Sequence, residues 1–176
     1  MALGIITDSG RILMARMLLG QKLEGITHCA VGDGDATFVD PLNPPAPTLD
    51  QVGLKHERAR KRYLRRSFLE EDAAGELVVD GVNYSETATP TNTIGVFFRF
   101  DESEANGITI KEYGFFGDNV TYRDGVLSGY AAGGIYDHAN PDGEVLSAGV
   151  LYEVKNIEDL EKLPDTRIEL VGLIKF

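Results

Sequence analysis

Tryptophan is absent from this 176-residue chain, and cysteine occurs once. A single cysteine cannot form an intramolecular disulfide or a cysteine-rich zinc site. Nothing therefore calls for an oxidising compartment, and folding in a cytoplasm is expected. Basic residues are scarce: 17 Lys and Arg stand against 28 Asp and Glu, for a net charge of -11. Such an acidic surface repels nucleic acid and anionic lipid, so neither is expected as a partner. Long apolar runs are missing too. No segment reaches the roughly 20 residues of a membrane span. The opening "MALGIITDSGRILMARMLLG" is interrupted by Asp8, Arg11 and Arg16, so no cleaved signal is expected.

What is present favours a β-rich fold. A hydrophobic fraction of 43% can build a core, and 20 glycines with seven prolines supply turns. Residues 7–20 read as a helix. Thr7, Asp8 or Ser9 can cap it, and Gly20 stands where helices stop. Its apolar content is broad, so it is expected to pack on more than one face. "GITHCAVGDGD" reads as a strand over Ile26–Val31 entering a glycine turn. There Gly32 and Gly34 are expected to take positive φ, with Asp33 and Asp35 capping the turn or facing solvent. Residues 36–50 hold four prolines and read as an extended arm.

Beyond the arm, strands are expected over about Tyr63–Leu69, then after a turn at Ala74-Gly75, over Thr93–Phe100, and from Ile108 through "ITIKEYGFFGD". "GVLSGYAAGGIYDHANPDGEVLSAGVLYEV" is strand-like with glycine and aspartate turns. Residues 156–164, "NIEDLEKLP", fit one helical turn. The closing "DTRIELVGLIKF" reads as a strand too apolar on both faces for an exposed edge. The expected fold is a single domain, mainly β (α+β): an antiparallel sandwich or open sheet with one N-terminal helix, a proline-rich arm and a β-rich core over 60–176.

A search for chemistry finds no reaction centre. His28, His56 and His138 share no metal-ligand spacing, and His28 and Cys29, adjacent on a strand, point to opposite faces. "DGD" matches only part of a calcium loop, whose terminal glutamate is missing. "GDGDA" has no lysine and no following helix to hold a phosphate. Cys29 has no neighbouring cation to activate it. The carboxylates at Glu70-Glu71-Asp72 and Asp101-Glu102-Glu104 read as solvated strand ends. No enzyme activity, cofactor or metal is expected.

One charge feature stands out. Lys55, Arg58, Arg60, Lys61, Arg62, Arg65 and Arg66 place seven of the 17 basic residues in twelve positions. Since Glu57 is the one acid among them, the rest of the chain carries 10 basic and 27 acidic residues, a balance of -17. Contact with acidic neighbouring subunits is ranked first for this run, a self-paired face second, and nucleic acid third.

The order of these features resembles the tail-fibre and tail-collar proteins of bacteriophages and related contractile tails. In that group an "avGdG" phrase, here ending in Gly32 and Gly34, precedes an "L-x-x-E-x-x-R" element, here Leu54, Glu57 and Arg60. An "i-x-E-x-G-l-f" phrase follows, matched by Ile110, Glu112, Gly114, Phe115 and Phe116. A closing "i-x-f" strand is matched by Ile174 and Phe176. The resemblance covers most of the chain in order. It implies a structural virion protein at the baseplate or fibre junction, located in the virion tail after synthesis in the host cytoplasm. Its partners would be other tail, baseplate or fibre proteins, and it would form a homo-oligomer, with a trimer as the family's guess. These 176 residues show no repetitive shaft and no receptor-binding tip, which favours an adaptor or baseplate role. The alternative is a carbohydrate- or ligand-binding β-sandwich using Tyr84, Tyr122, Tyr130 and Tyr136.

Overall fold

The computed structural model describes residues 4–122, 135–137 and 145–176; of Tyr122, Ile135–Asp137, Val145 and Leu146 only the backbone is described. The elements run β1 (Gly4–Ile6), α1 (Asp8–Leu18), β2 (Ile26–Gly32), β3 (Glu57–Arg62), β4 (Arg65–Glu71), β5 (Leu77–Val79), β6 (Val82–Thr87), β7 (Thr93–Phe100), β8 (Thr109–Tyr122), β9 (Ile135–Asp137), β10 (Val145–Glu161) and β11 (Ile168–Lys175). They form two antiparallel sheets, a six-stranded one in the order β1-β10-β8-β2-β3-β9 and a five-stranded one in the order β11-β7-β4-β6-β5. The expected mainly β fold with one N-terminal helix is what the chain adopts.

Period-two alternation explains how the sheets meet. Cys29 and Phe115 lie side by side in the six-stranded sheet and pack against Val96 and Phe98 of β7. Beside them Val31 and Ala59 meet Phe100, Ile168 and Leu170. Phe98 and Phe115 stack with centroids 5.3 Å apart. The alternate residues Ala30 and Phe116 turn to the other face of the six-stranded sheet, with Leu151 and Val154. His28 is directly opposite Phe116 and Cys29 directly opposite Phe115, so the two point to opposite faces.

Helix α1 begins where the sequence directs it. Thr7 is its N-cap, accepting a hydrogen bond from the Gly10 amide at 3.0 Å. Its own hydroxyl donates to the Leu151 carbonyl at 2.5 Å, tying the cap to β10. Leu13 is buried, but Ile12, Leu18 and Leu19 are exposed. The helix therefore packs on one face only, and the second packing face expected from its composition is left open.

Three sequence-based expectations give way. Residues 156–161 are strand, not a helical turn: β10 continues along β8, with a register shift between Asn156 and Leu160. The ladder and the packing of half-buried Ile157 against the core override local helix preference. The core also begins before residue 60, because β2 sits between β8 and β3 and β1 pairs with β10. Finally, among the described residues β11 stands at the edge of its sheet despite its apolar content on both faces. Most of the strand-like region between β8 and β10 lies outside the described residues.

Residues 36–50 form neither helix nor strand. They are laid against the six-stranded sheet and its helix. The Asp8 amide donates to the Leu49 carbonyl, the Asp159 amide to the Pro41 carbonyl, and the Asn156 side chain to the Pro45 carbonyl at 2.7 Å. Gly34 has φ +70°, and a Cβ there would lie 2.6 Å from the Phe38 ring. Gly32 does not take the expected positive φ. It is needed for close approach instead, since a Cβ would stand 2.5 Å from the His56 carbonyl and 2.7 Å from Glu112 Oε1. Gly34→Val is expected to lower stability by about 2 kcal/mol or more, because left-handed backbone and a ring clash combine. Urea denaturation checks this, and an unchanged midpoint would refute the turn assignment.

Candidate functional site

The three sequence phrases meet on the outer face of the six-stranded sheet. Glu112 of β8 is fully buried there, and its carboxylate accepts the Lys55 amide at 2.9 Å and the His56 amide at 2.8 Å. Burial pushes its pKa up, while the amides of His56, Lys55 and Gly34 pull the other way. One carboxylate thus joins the glycine turn to the segment between the proline arm and β3, giving backbone amides of both a partner. Gly114, two residues on, gives the arm room: a Cβ would lie 2.8 Å from Leu151 and 3.1 Å from Leu54.

The second half of the cluster is an ion pair. Arg60 of β3 is 0% exposed. Its Nε and Nη2 each donate to Glu57 at 2.7 Å, in a bidentate fork. Nη1 donates to the Ala148 carbonyl at 2.7 Å, and the guanidinium lies 3.9 Å from the centroid of the Phe116 ring. Each of its three nitrogens and one face of its plane are engaged from within the chain. Beside it, His28 is buried, with Nδ1 2.7 Å from the Thr27 hydroxyl. Burial, with Arg60 and Arg62 nearby, holds its pKa down at about 3, so the ring is neutral at ordinary pH.

The basic run is consumed mainly by the chain itself. Lys61, on the inner face, is 2% exposed and pairs with Glu104, with Asp101 at 3.7 Å. Arg58 meets Asp33 at 2.5 Å, and the same carboxylate takes His56 Nδ1 at 2.5 Å. Arg62 lies 3.8 Å from Glu24. Arg65 pairs with Glu86 at 2.6 Å and covers the Phe97 ring. Arg66 donates to the Ile26 carbonyl and lies over Tyr63. Lys55 is exposed. Arg60 and Lys61 therefore cannot serve a neighbouring subunit as expected, because burial removes them from the surface. For these two the self-paired arrangement, ranked second, is the one present. Arg58, Lys55, Arg62, Arg65 and Arg66 remain at or near the surface. The sequence hid this because it shows charge but not which strand face carries it; alternation puts Arg60 and Arg62 on one face of β3 and Lys61 on the other.

Chemically, the cluster holds its groups rather than activating them. Cys29 is on the opposite face, fully buried, and burial raises its pKa well above that of an ordinary thiol, so it stays protonated. Asp35, beyond the turn, spends its carboxylate on the Thr37 amide and hydroxyl. Asp101 is engaged by Arg99 at 2.8 Å as well as by Lys61. Among the described residues, no three His, Cys, Asp or Glu side chains gather as a metal site. Tyr84, a candidate sugar platform, is 3% exposed and unavailable for stacking. The side chains of Tyr122, Tyr130 and Tyr136 lie outside the described residues. Also among the described residues, no helix is long and apolar enough to cross a membrane.

No protein-family model matches this chain, and no curated protein matches it.

Proposed function

We propose that this chain is a structural protein of a phage or phage-like contractile tail, placed at the baseplate or the fibre junction and working through subunit contacts. The observation that carries the reading is large apolar surface left open on the helix and arm. Leu18 is 79% and Leu19 80% exposed, Val39 and Leu42 of the arm are 84% and 70% exposed, and Val52 just beyond it is 76% exposed. Single exposed apolar residues need no explanation, but several large ones on the helix end and along the arm support a reading in which subunit contacts cover them. The order of sequence phrases supplies the kind of assembly. Its partners are other tail, baseplate or fibre proteins and further copies of the chain, with no nucleic acid or membrane contact. The inward-held polar cluster fits a rigid part better than a reaction centre, so no catalysis is assigned.

A stop codon in the gene tests this. Particles made without the chain are expected to show missing fibres or an incomplete baseplate by negative-stain electron microscopy, restored when the gene is supplied in trans. Normal tails with normal infectivity would overturn the reading.

A further inference from the structure

We propose that β11 is a self-complementary edge, through which two copies of this chain join strand to strand, antiparallel about a twofold axis at Gly172, making one continuous sheet from the two five-stranded sheets.

The strand presents the problem that the pairing solves. It pairs with β7 over all eight residues without a register shift, and among the described residues no strand pairs with its other side. Exposed edges are usually blunted by proline, a bulge or a central charge, since their unpaired backbone groups template association. Residues 168–175, "IELVGLIK", contain no proline, and the charges stand near the ends.

The backbone has the right parity. The Phe176 amide donates to the Asn92 carbonyl at 3.0 Å, continuing the β7 ladder by one pair. Hydrogen-bonded pairs alternate along an antiparallel ladder, so the even-numbered residues turn their amides and carbonyls toward β7. Those of Glu169, Val171, Leu173 and Lys175 face outward. A twofold axis at Gly172 sets Glu169 opposite Lys175 of the second copy and Val171 opposite Leu173. These are the outward-facing residues, which would exchange about eight backbone hydrogen bonds over the whole pairing. Gly172 then meets Gly172 at a non-hydrogen-bonded position, where Cα atoms come closest and a missing side chain is an advantage.

The side chains match in the same register. Leu170 and Ile174 belong to the layer between the sheets, and they face each other across the axis. Val171 and Leu173 belong to the cluster with Leu69, Tyr84 and Phe97 on the other face, and they pair likewise. Both apolar layers would run on into the second copy. At the ends, each Glu169 meets a Lys175. The competing account makes these two charges guards against association, with Lys175 held by Glu71 at 2.5 Å. Guarding works by making a second strand bury an unpaired charge, whereas this register gives each charge an opposite partner.

The pairing does not rest on the tail assignment, and its test is separate. The full chain, 19.2 kDa as a monomer, is examined by sedimentation velocity over a concentration series, with circular dichroism to confirm folding. The wild type is expected to reach twice that mass. Glu169→Lys alone and Lys175→Glu alone each put two like-charge pairs into the interface, because each pair occurs twice, and should raise the dissociation constant about tenfold or more. Combining them restores opposite charges and should restore the dimer, although the Glu71 contact stays broken. A wild type that remains monomeric, or that forms only trimers, would overturn the proposal. So would single reversals without effect, or a double variant no tighter than the singles.

Discussion

Arg60→Ala is expected to lower the unfolding free energy by about 3–5 kcal/mol, the cost typical of breaking a buried ion pair from one side. The magnitude follows from what is left behind. Glu57 would lose both arms of its fork, the Ala148 carbonyl its donor, and the Phe116 ring the guanidinium 3.9 Å from its centre. Removing the guanidinium from a poorly solvated carboxylate costs far more than the pair contributes over a well-packed apolar substitute. The double variant Arg60→Met with Glu57→Leu should therefore be much more stable than the single one. Guanidinium denaturation of wild type, Arg60→Met, Glu57→Leu and the double closes the cycle, with Arg60→Ala measured beside it. A loss under about 1 kcal/mol for Arg60→Ala would mean the pair is not buried as described.

The second large effect is a pH dependence. His28 titrates at about 6.5 in an unfolded chain but is held to about 3 when folded, by burial and by Arg60 and Arg62. A base whose folded pKa is depressed binds protons less readily than the unfolded state does. Its contribution is intact above pH 6.5 and is lost as pH falls toward 3. Each pH unit in that window removes about 1.4 kcal/mol, so acidification from pH 6.5 to 5 should cost about 2 kcal/mol. In His28→Leu that part of the slope should vanish, while the shared carboxylate titrations at lower pH remain. Parallel wild-type and variant curves between pH 6.5 and 5 would show that His28 is hydrated or paired differently.

Legibility in the sequence followed the range of the forces involved. Short-range patterns read well. Thr7 caps the helix, Gly34 turns the chain with positive φ, and the apolar run Thr93–Phe100 is a strand with those bounds. Long-range pairing did not. Nothing local shows that Glu112 accepts amides more than fifty residues away, or that 156–161 extends a strand. In the basic run the count of charges was plain, yet Arg60 and Lys61 ended on opposite faces of β3, each buried against its own carboxylates. Charge totals describe a surface only when the strand register is known. The last strand gives the converse lesson. Its sequence argued against an exposed edge, the described residues leave one side of it unpaired, and the proposed pairing with a second copy would reconcile the two.

Quantitative mass spectrometry of purified tail particles tests whether the chain is a tail component held by subunit contacts. A tail component is expected at a fixed, small-integer copy number relative to the baseplate proteins, surviving salt washes with the particle. Tails free of the chain, with the protein monomeric in the lysate, would contradict that reading.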